Sequence, residues 1–174
     1  MKQLTSTELK RLHRSWRKQE PPPLALMLEG LGGPFNLGAM LRTAAAYRVA
    51  HLYLAAMQID PTSTNVGKTA LGSDRFVTWS AHEELGEALA AARKAGYSIV
   101  GLELADHAVP IHEADLSAPT CLVVGHEDRG LSKTALAECD NVVFLPQLGR
   151  IGSLNVATAA SIALYESRRQ FFTS

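Results

Sequence analysis

Three short stretches set glycine beside side chains able to hold a ligand: GPFNLGAMLRTA (33–44), GHEDRGLS (125–132) and LPQLGRIGSLN (145–155). Glycine lets backbone N–H and C=O groups approach a bound molecule closely. Asn36, Arg42, Glu127, Ser153 and Asn155 add donors, acceptors and charges of both signs at the same points. The third stretch also has a plainer reading: Ser153 is a good N-cap, and glycine is common in tight strand-to-helix turns. One such cluster is a weak signal. Three at equivalent strand–loop–helix junctions are a stronger one.

Familiar motifs do not account for these clusters. No GxGxxG follows the first strand. VGKT (66–69) looks like the tail of a phosphate-binding loop, but that motif needs glycine where Thr62 stands, and a preceding strand. Ser153 lies in G-S-L-N, not in GxSxG. His107 and His112, with Asp106, Glu113 and Asp115, read as a solvated acidic loop in preference to a metal site, since no ligand spacing supports one.

The elements around the clusters alternate in type. Thr5 followed by Glu8 is a capping-box pattern that predicts a basic amphipathic helix over 6–19, ended by Pro21, Pro22 and Pro23. Strands are predicted at 24–30, 51–57, 76–79, 98–104, 120–125 and 142–146. Helices are predicted at about 37–48, 65–72, 82–96, 132–138 and from 156 onward. Several strands are unbroken β-branched or leucine runs, as in parallel strands covered on both faces. The expected architecture is an α/β fold, a mostly parallel sheet with helices on both faces. All three clusters then fall at the carboxyl ends of strands, where open α/β sheets bind ligands. Asn36 and Arg42 share one helix start, and the tilt of helical Cα–Cβ bonds sends Arg42 back toward Asn36.

Composition narrows the class. The 174 residues are 47% hydrophobic and 20% charged, ordinary for a globular domain. No apolar run approaches the ~18–20 residues that span a bilayer, and the N-terminus is charged where a secretory signal would be apolar. Cys121 and Cys139 stand apart without CxxC spacing and read as buried thiols of a reducing compartment. A cytoplasmic protein with no membrane partner is expected. Net charge is zero, yet residues 1–19 hold six basic side chains against Glu8 alone, while 82–140 hold four basic against eleven acidic. That asymmetry suggests a polyanion met at the chain ends through Arg11, Arg14, Arg17 and Lys18, with Arg168 and Arg169; a solvated helix face is the alternative.

In order and spacing, N-L-G-A-x-x-R-T-A (36–44), G-x-E-x-x-G-L-S (125–132) and L-P-x-x-G-x-x-x-S-L-N-V (145–156) resemble the three motifs of the SPOUT superfamily. More narrowly they resemble the SpoU/TrmH-type RNA ribose 2′-O-methyltransferases, over roughly residues 24–168. The resemblance divides the chain into a basic helical extension, 1–20, and a methyltransferase domain, 24–174. It implies a C-terminal deep trefoil knot, a rare exception to unknotted topology. The glycines of 149–152 would then let the chain turn sharply, and Ala157, Ala159, Ala160 and Ala163 would let the last helix pack closely across a homodimer interface.

The implied reaction is methylation of a ribose 2′-hydroxyl in structured RNA by S-adenosylmethionine, with a tRNA guanosine as leading substrate. The alternatives are ribosomal RNA, a tRNA wobble nucleotide, or a catalytically silent knotted RNA-binding protein. The cofactor would be held near Leu102, Gly125, Leu145, Ser153 and Leu154, and no metal is implied. Arg42 would stabilise the developing alkoxide and clamp the neighbouring phosphate, because a guanidinium essentially never deprotonates. Asn36 and Glu127 would orient Arg42. Ser153 and Asn155 would complete the site, in the same protomer or toward the partner's Arg42. His126 and Asp128 depart from the family pattern, and Asp128 adds negative charge beside Glu127.

Overall fold

In the computed structural model, which describes residues 1–173, an N-terminal helix precedes strand–helix alternation that is interrupted between Ser98 and Val124, where three strands follow one another without an α-helix. The elements are α1 (Ser6–Trp16), β1 (Leu24–Glu29), α2 (Pro34–Ala46), β2 (His51–Ala55), α3 (Thr64–Ala70), β3 (Thr78–His82) and α4 (Leu85–Lys94). They continue with β4 (Ser98–Leu102), β5 (Val109–Pro110), β6 (Thr120–Val124), α5 (Lys133–Glu138), β7 (Asn141–Phe144) and α6 (Val156–Thr173). The sheet runs β3-β2-β1-β6-β4-β7-β5, and its strand pairs are parallel.

Strand β1 sits centrally and shows why the sheet is sandwiched. Leu24, Leu26 and Leu28 point into a core with α2, α3 and α6. Ala25 and Met27 point the other way, against α4 and α5. The period-2 alternation therefore feeds two separate apolar layers, which is why the strand is apolar throughout. Pro34 opens α2, where its missing N–H costs nothing. Gly38 lies where α2 meets α3: a Cβ there would run into the Thr69 hydroxyl and the Val66 carbonyl.

Strand β7 lies between β4 and β5, although β5 follows β4 in the chain. The segment 103–119 therefore crosses β7 to reach the sheet edge and then returns past α6. There Gln170 accepts from the Leu116 N–H and donates to the Ala114 carbonyl, each at 2.9 Å.

Several expectations are corrected. Strand β3 begins later than expected and runs to His82, because Asp74–Phe76 form a 3-10 turn and His82 pairs in register with Ala55; α4 starts correspondingly later. The acidic loop contains the short edge strand β5. Gly149 and Gly152 adopt no positive φ, and a Cβ on either would meet nothing, so neither is required by a sharp turn. Ala157, Ala160 and Ala163 are spent inside the chain's own core; the outward face of α6 carries Thr158, Ile162 and Tyr165 instead. No helix among the described residues is long and apolar enough to cross a membrane.

Helix α1 opens with the expected capping box, Thr5 and Glu8 each bonding the other's backbone N–H. It buries no residue. Its C-terminal end is held by Trp16 against Phe172, ring centroids 5.3 Å apart, and by Arg48 donating to the carbonyls of Arg17 and Gln19.

Candidate active site

The carboxyl ends of β4, β6 and β7 surround a cavity of about 310 Å³. This is within the ~300–1,000 Å³ usual for small-molecule sites. Leu102, Gly125, Leu145, Ser153 and Leu154, the residues expected to hold a cofactor, all line it. Its wall also carries Glu103, Glu127 and Asp128 against Arg129, so its polar rim leans negative.

Gly125 is needed for a reason internal to the chain. A Cβ there would collide with the Gly130 carbonyl and the Leu131 N–H, because 126–130 folds back as a tight turn with His126 and Gly130 exchanging backbone bonds at 3.1 and 2.9 Å. Gly130 holds φ near 63°, a left-handed conformation that side chains disfavour. Glu103 braces this turn: its carboxylate accepts from Leu131 N–H and from Leu104 N–H, both at 2.9 Å. Two walls of the cavity are thus tied by one side chain, which sequence patterning did not single out.

Glu127 reaches across to the β1–α2 loop. It accepts from Gly33 N–H at 2.8 Å, from the Asn36 amide at 3.0 Å and from Gly32 N–H at 3.2 Å. Burial alone would raise its pKa, but the bonds from Asn36 and from backbone N–H groups outweigh burial and hold the carboxyl below its ordinary value. Asn155 then donates to the Asn36 side-chain oxygen at 2.9 Å. Its own oxygen accepts from Ala157 and Thr158 N–H at 3.0 and 3.1 Å, which makes Asn155 the cap of α6 in place of Ser153. One polar relay, Glu127–Asn36–Asn155, therefore joins all three motif loops within a single chain.

Residues 23–165 match the SpoU rRNA Methylase family. The chain belongs to the SpoU methylase family. It is 34% identical over 149 residues to the tRNA (guanosine(18)-2'-O)-methyltransferase of Escherichia coli (strain K12), a match covering 86% of this chain and 64% of that protein. It is 33% identical over 172 residues to the enzyme of the same name from Thermus thermophilus, covering 98% of this chain and 86% of that one. The AdoMet-bound rRNA methyltransferase of Sinorhizobium meliloti superposes with a TM-score of 0.81 at 29% identity, covering 87% of this chain and 57% of that one.

Within this member of the SpoU methylase family, Arg42 stands apart from the relay. It lies six positions along the helix from Asn36, so at ~100° per residue the two side chains leave α2 about 120° apart. The Arg42 guanidinium is exposed and has no hydrogen-bond or ion-pair partner among the described residues, which corrects the expectation that it turns back to Asn36. Arg11, Arg14, Arg17 and Lys18 are exposed on α1 or just beyond it, opposite the stripe of Leu9, Leu12 and Trp16.

Of the two C-terminal arginines, Arg168 is spent inside the fold and offers no polyanion surface. Arg168 is 4% exposed and donates to the carbonyls of Pro22, Tyr47 and Arg48 at 2.7, 2.8 and 2.9 Å. Burial first, and then the neighbouring Arg48 charge, pull its pKa down to about 10. Arg169 forms a forked pair with Glu166, both bonds at 2.7 Å. A charge count alone cannot distinguish an internal staple such as Arg168 from a free cation. His107 and His112 pair with their exposed neighbours Asp106 and Glu113, and no group of three metal-ligating side chains is present among the described residues. Cys121 is fully buried and Cys139 partly, and burial raises both thiols, Cys139 to about 11.

Proposed function

We propose that the protein methylates a ribose 2′-hydroxyl of structured RNA, with a tRNA guanosine as substrate and S-adenosylmethionine as donor. The carrying observation is the cavity at the ends of β4, β6 and β7, bounded by the motif loops 125–130 and 145–154 and joined to the third loop through Glu127. Its residues suit this donor. Apolar side chains (Leu102, Leu145, Leu154) offer flat packing surfaces, and the negative rim favours a cation. Gln147 lines the wall, and its buried side-chain oxygen has no partner among the described residues. The chemistry supplied by the bound donor is an electrophilic methyl group on a sulfonium centre.

What the chain must supply is activation of a poor nucleophile. The exposed Arg42 is a cation free to meet the RNA phosphate and the developing alkoxide, where a fixed positive fork is worth most in the transition state. Asn36, Glu127 and Asn155 hold the three loops in register with one another. Ser153, at the cavity mouth, is placed to touch donor or acceptor.

This reading extends to assembly. Helices α2 and α6 lie side by side, linked by Thr43 with Ser161 at 3.0 Å and Tyr47 with Tyr165. Their outward faces expose Phe35, Ile162 and Tyr165 around the unpartnered Arg42. A homodimer through this surface would bring the partner's Arg42 toward the cavity, and α1, residues 1–20, would contribute basic charge to the RNA surface beside the 24–174 domain. The crossing of 103–119 over β7 and around α6 supports a trefoil knot closed by 145–173. The cytoplasm is the compartment such a substrate implies.

Incubation with methyl-labelled S-adenosylmethionine and total RNA, followed by fractionation, tests the proposal. Label in tRNA is the expected result. Label in ribosomal RNA would favour that substrate, and label at a wobble nucleotide would move the target within tRNA. Cofactor binding without label in any RNA would favour the silent binder.

A further inference from the structure

We propose that Arg75 and Phe76 form a platform on which an unpaired nucleobase of the RNA substrate stacks; this rests on the RNA methyltransferase reading above. The Arg75 guanidinium lies over the Phe76 ring, its Cζ 4.9 Å from the ring centroid. The ring is still 68% exposed, so flat aromatic surface remains open beside the stacked cation. Val77, the next residue, is buried, so the chain hides one apolar side chain and leaves its larger neighbour outside. The mount is well defined. Asp74–Phe76 form a 3-10 turn in which the Phe76 N–H donates to the Ser73 carbonyl at 3.0 Å. The Ser73 N–H in turn donates to the Ala70 carbonyl at the end of α3, also at 3.0 Å. This turn lies against the helix that carries Arg42: Leu41, the residue before Arg42, and Asp74, the residue before Arg75, line one small, mostly apolar cavity.

A nucleobase is the partner this pair fits. Every base has a π-face, so stacking on an exposed ring tolerates any sequence, and a neighbouring arginine adds attraction. A guanidinium suits that place because it is planar, always charged and weakly hydrated. The surrounding charge agrees. Residues 31–79 carry Arg42, Arg48, Lys68 and Arg75 against Asp60 and Asp74, whereas 82–140 carry four basic side chains against eleven acidic. A polyanion that reaches Arg42 is therefore favoured along the first segment and repelled by the second. Neither Arg75 nor Phe76 lines the cavity at the ends of β4, β6 and β7, so their part is in holding RNA and not the methyl donor.

Phe76→Trp keeps a flat ring, Phe76→Leu keeps apolar bulk without one, and Phe76→Ala removes both. The measurements are affinity for total tRNA, affinity for S-adenosylhomocysteine, melting temperature and sedimentation. The expected result is tRNA binding about tenfold weaker in Phe76→Leu and Phe76→Ala, with wild-type binding in Phe76→Trp. Arg75→Gln, which removes the cation, weakens tRNA binding about threefold. Binding of S-adenosylhomocysteine and the melting temperature stay at their wild-type values in all four variants, since both side chains are exposed. Wild-type tRNA affinity in either Phe76→Ala or Arg75→Gln overturns the inference. Equal losses in Phe76→Trp and Phe76→Leu overturn it too, because bulk and not a ring would then be what matters. A changed sedimentation coefficient in Phe76→Ala marks a contact between protein copies in place of RNA and likewise overturns it. Failure of the wild type itself to bind tRNA would instead reject the substrate reading beneath it.

Discussion

Asn155 and Asn36, 119 positions apart in sequence, share a 2.9 Å hydrogen bond between their side-chain amides. Asn155 is at once the cap of α6 and the last link of a relay that begins at Glu127. Removing it should act on both. Asn155→Ala should cost about 1–2 kcal/mol through the lost cap alone and lower the melting temperature by several degrees. Asn155→Asp retains the capping oxygen but loses the donor to Asn36. It should unfold nearer the wild type yet bind S-adenosylhomocysteine as weakly as the alanine variant. Identical stability for the two variants would show that capping is not the role.

Glu127 gives the relay a pH signature. Its folded-state pKa lies below the ordinary value of 4.5, so its contribution to stability is fully present above that value and is lost as pH falls through the folded value. The stability gap between wild type and Glu127→Gln should therefore be widest near neutrality and shrink below about pH 4.5. Denaturant melts across pH 3–7 would check this, and a gap independent of pH would count against the bonded carboxylate.

Arg168 should behave as a structural staple. Arg168→Met strands three carbonyls that the guanidinium now satisfies and should cost about 3 kcal/mol. For a chain of this size that is a fall of about 6–12 °C in melting temperature. RNA affinity of the folded fraction should not change. A stable variant with weakened RNA binding would restore Arg168 to the RNA surface.

For α1 the expectation is reversed. Converting Arg11, Arg14 and Arg17 together to glutamine should leave stability unaltered, since the helix buries no residue. It should flatten the salt dependence of RNA binding by about two to three phosphate contacts. Wild-type affinity and slope in that variant would reduce the helix to a brace.

Much of this was legible in the sequence, because the relevant signals are local. Unbroken apolar strands, the Thr5–Glu8 box and the three glycine-rich junctions each carry their own periodicity or spacing. What escaped depended on long-range partners. The bracing role of Glu103 requires knowing that 131 lies beside 104, and the burial of Arg168 requires knowing that α6 ends against the linker before β1. Nor could sequence distinguish the roles of Ser153 and Asn155, since both are equally good caps until the helix start is seen at Val156.

The atom that receives the methyl group decides between ribose methylation and any other reaction. Wild-type protein and Arg42→Ala are incubated with methyl-labelled S-adenosylmethionine and tRNA, and the digested nucleosides are separated. The predicted result is label in 2′-O-methylguanosine with the wild type, and none with Arg42→Ala although that variant retains S-adenosylhomocysteine binding. Label on a base, or undiminished ribose methylation by Arg42→Ala, would contradict it.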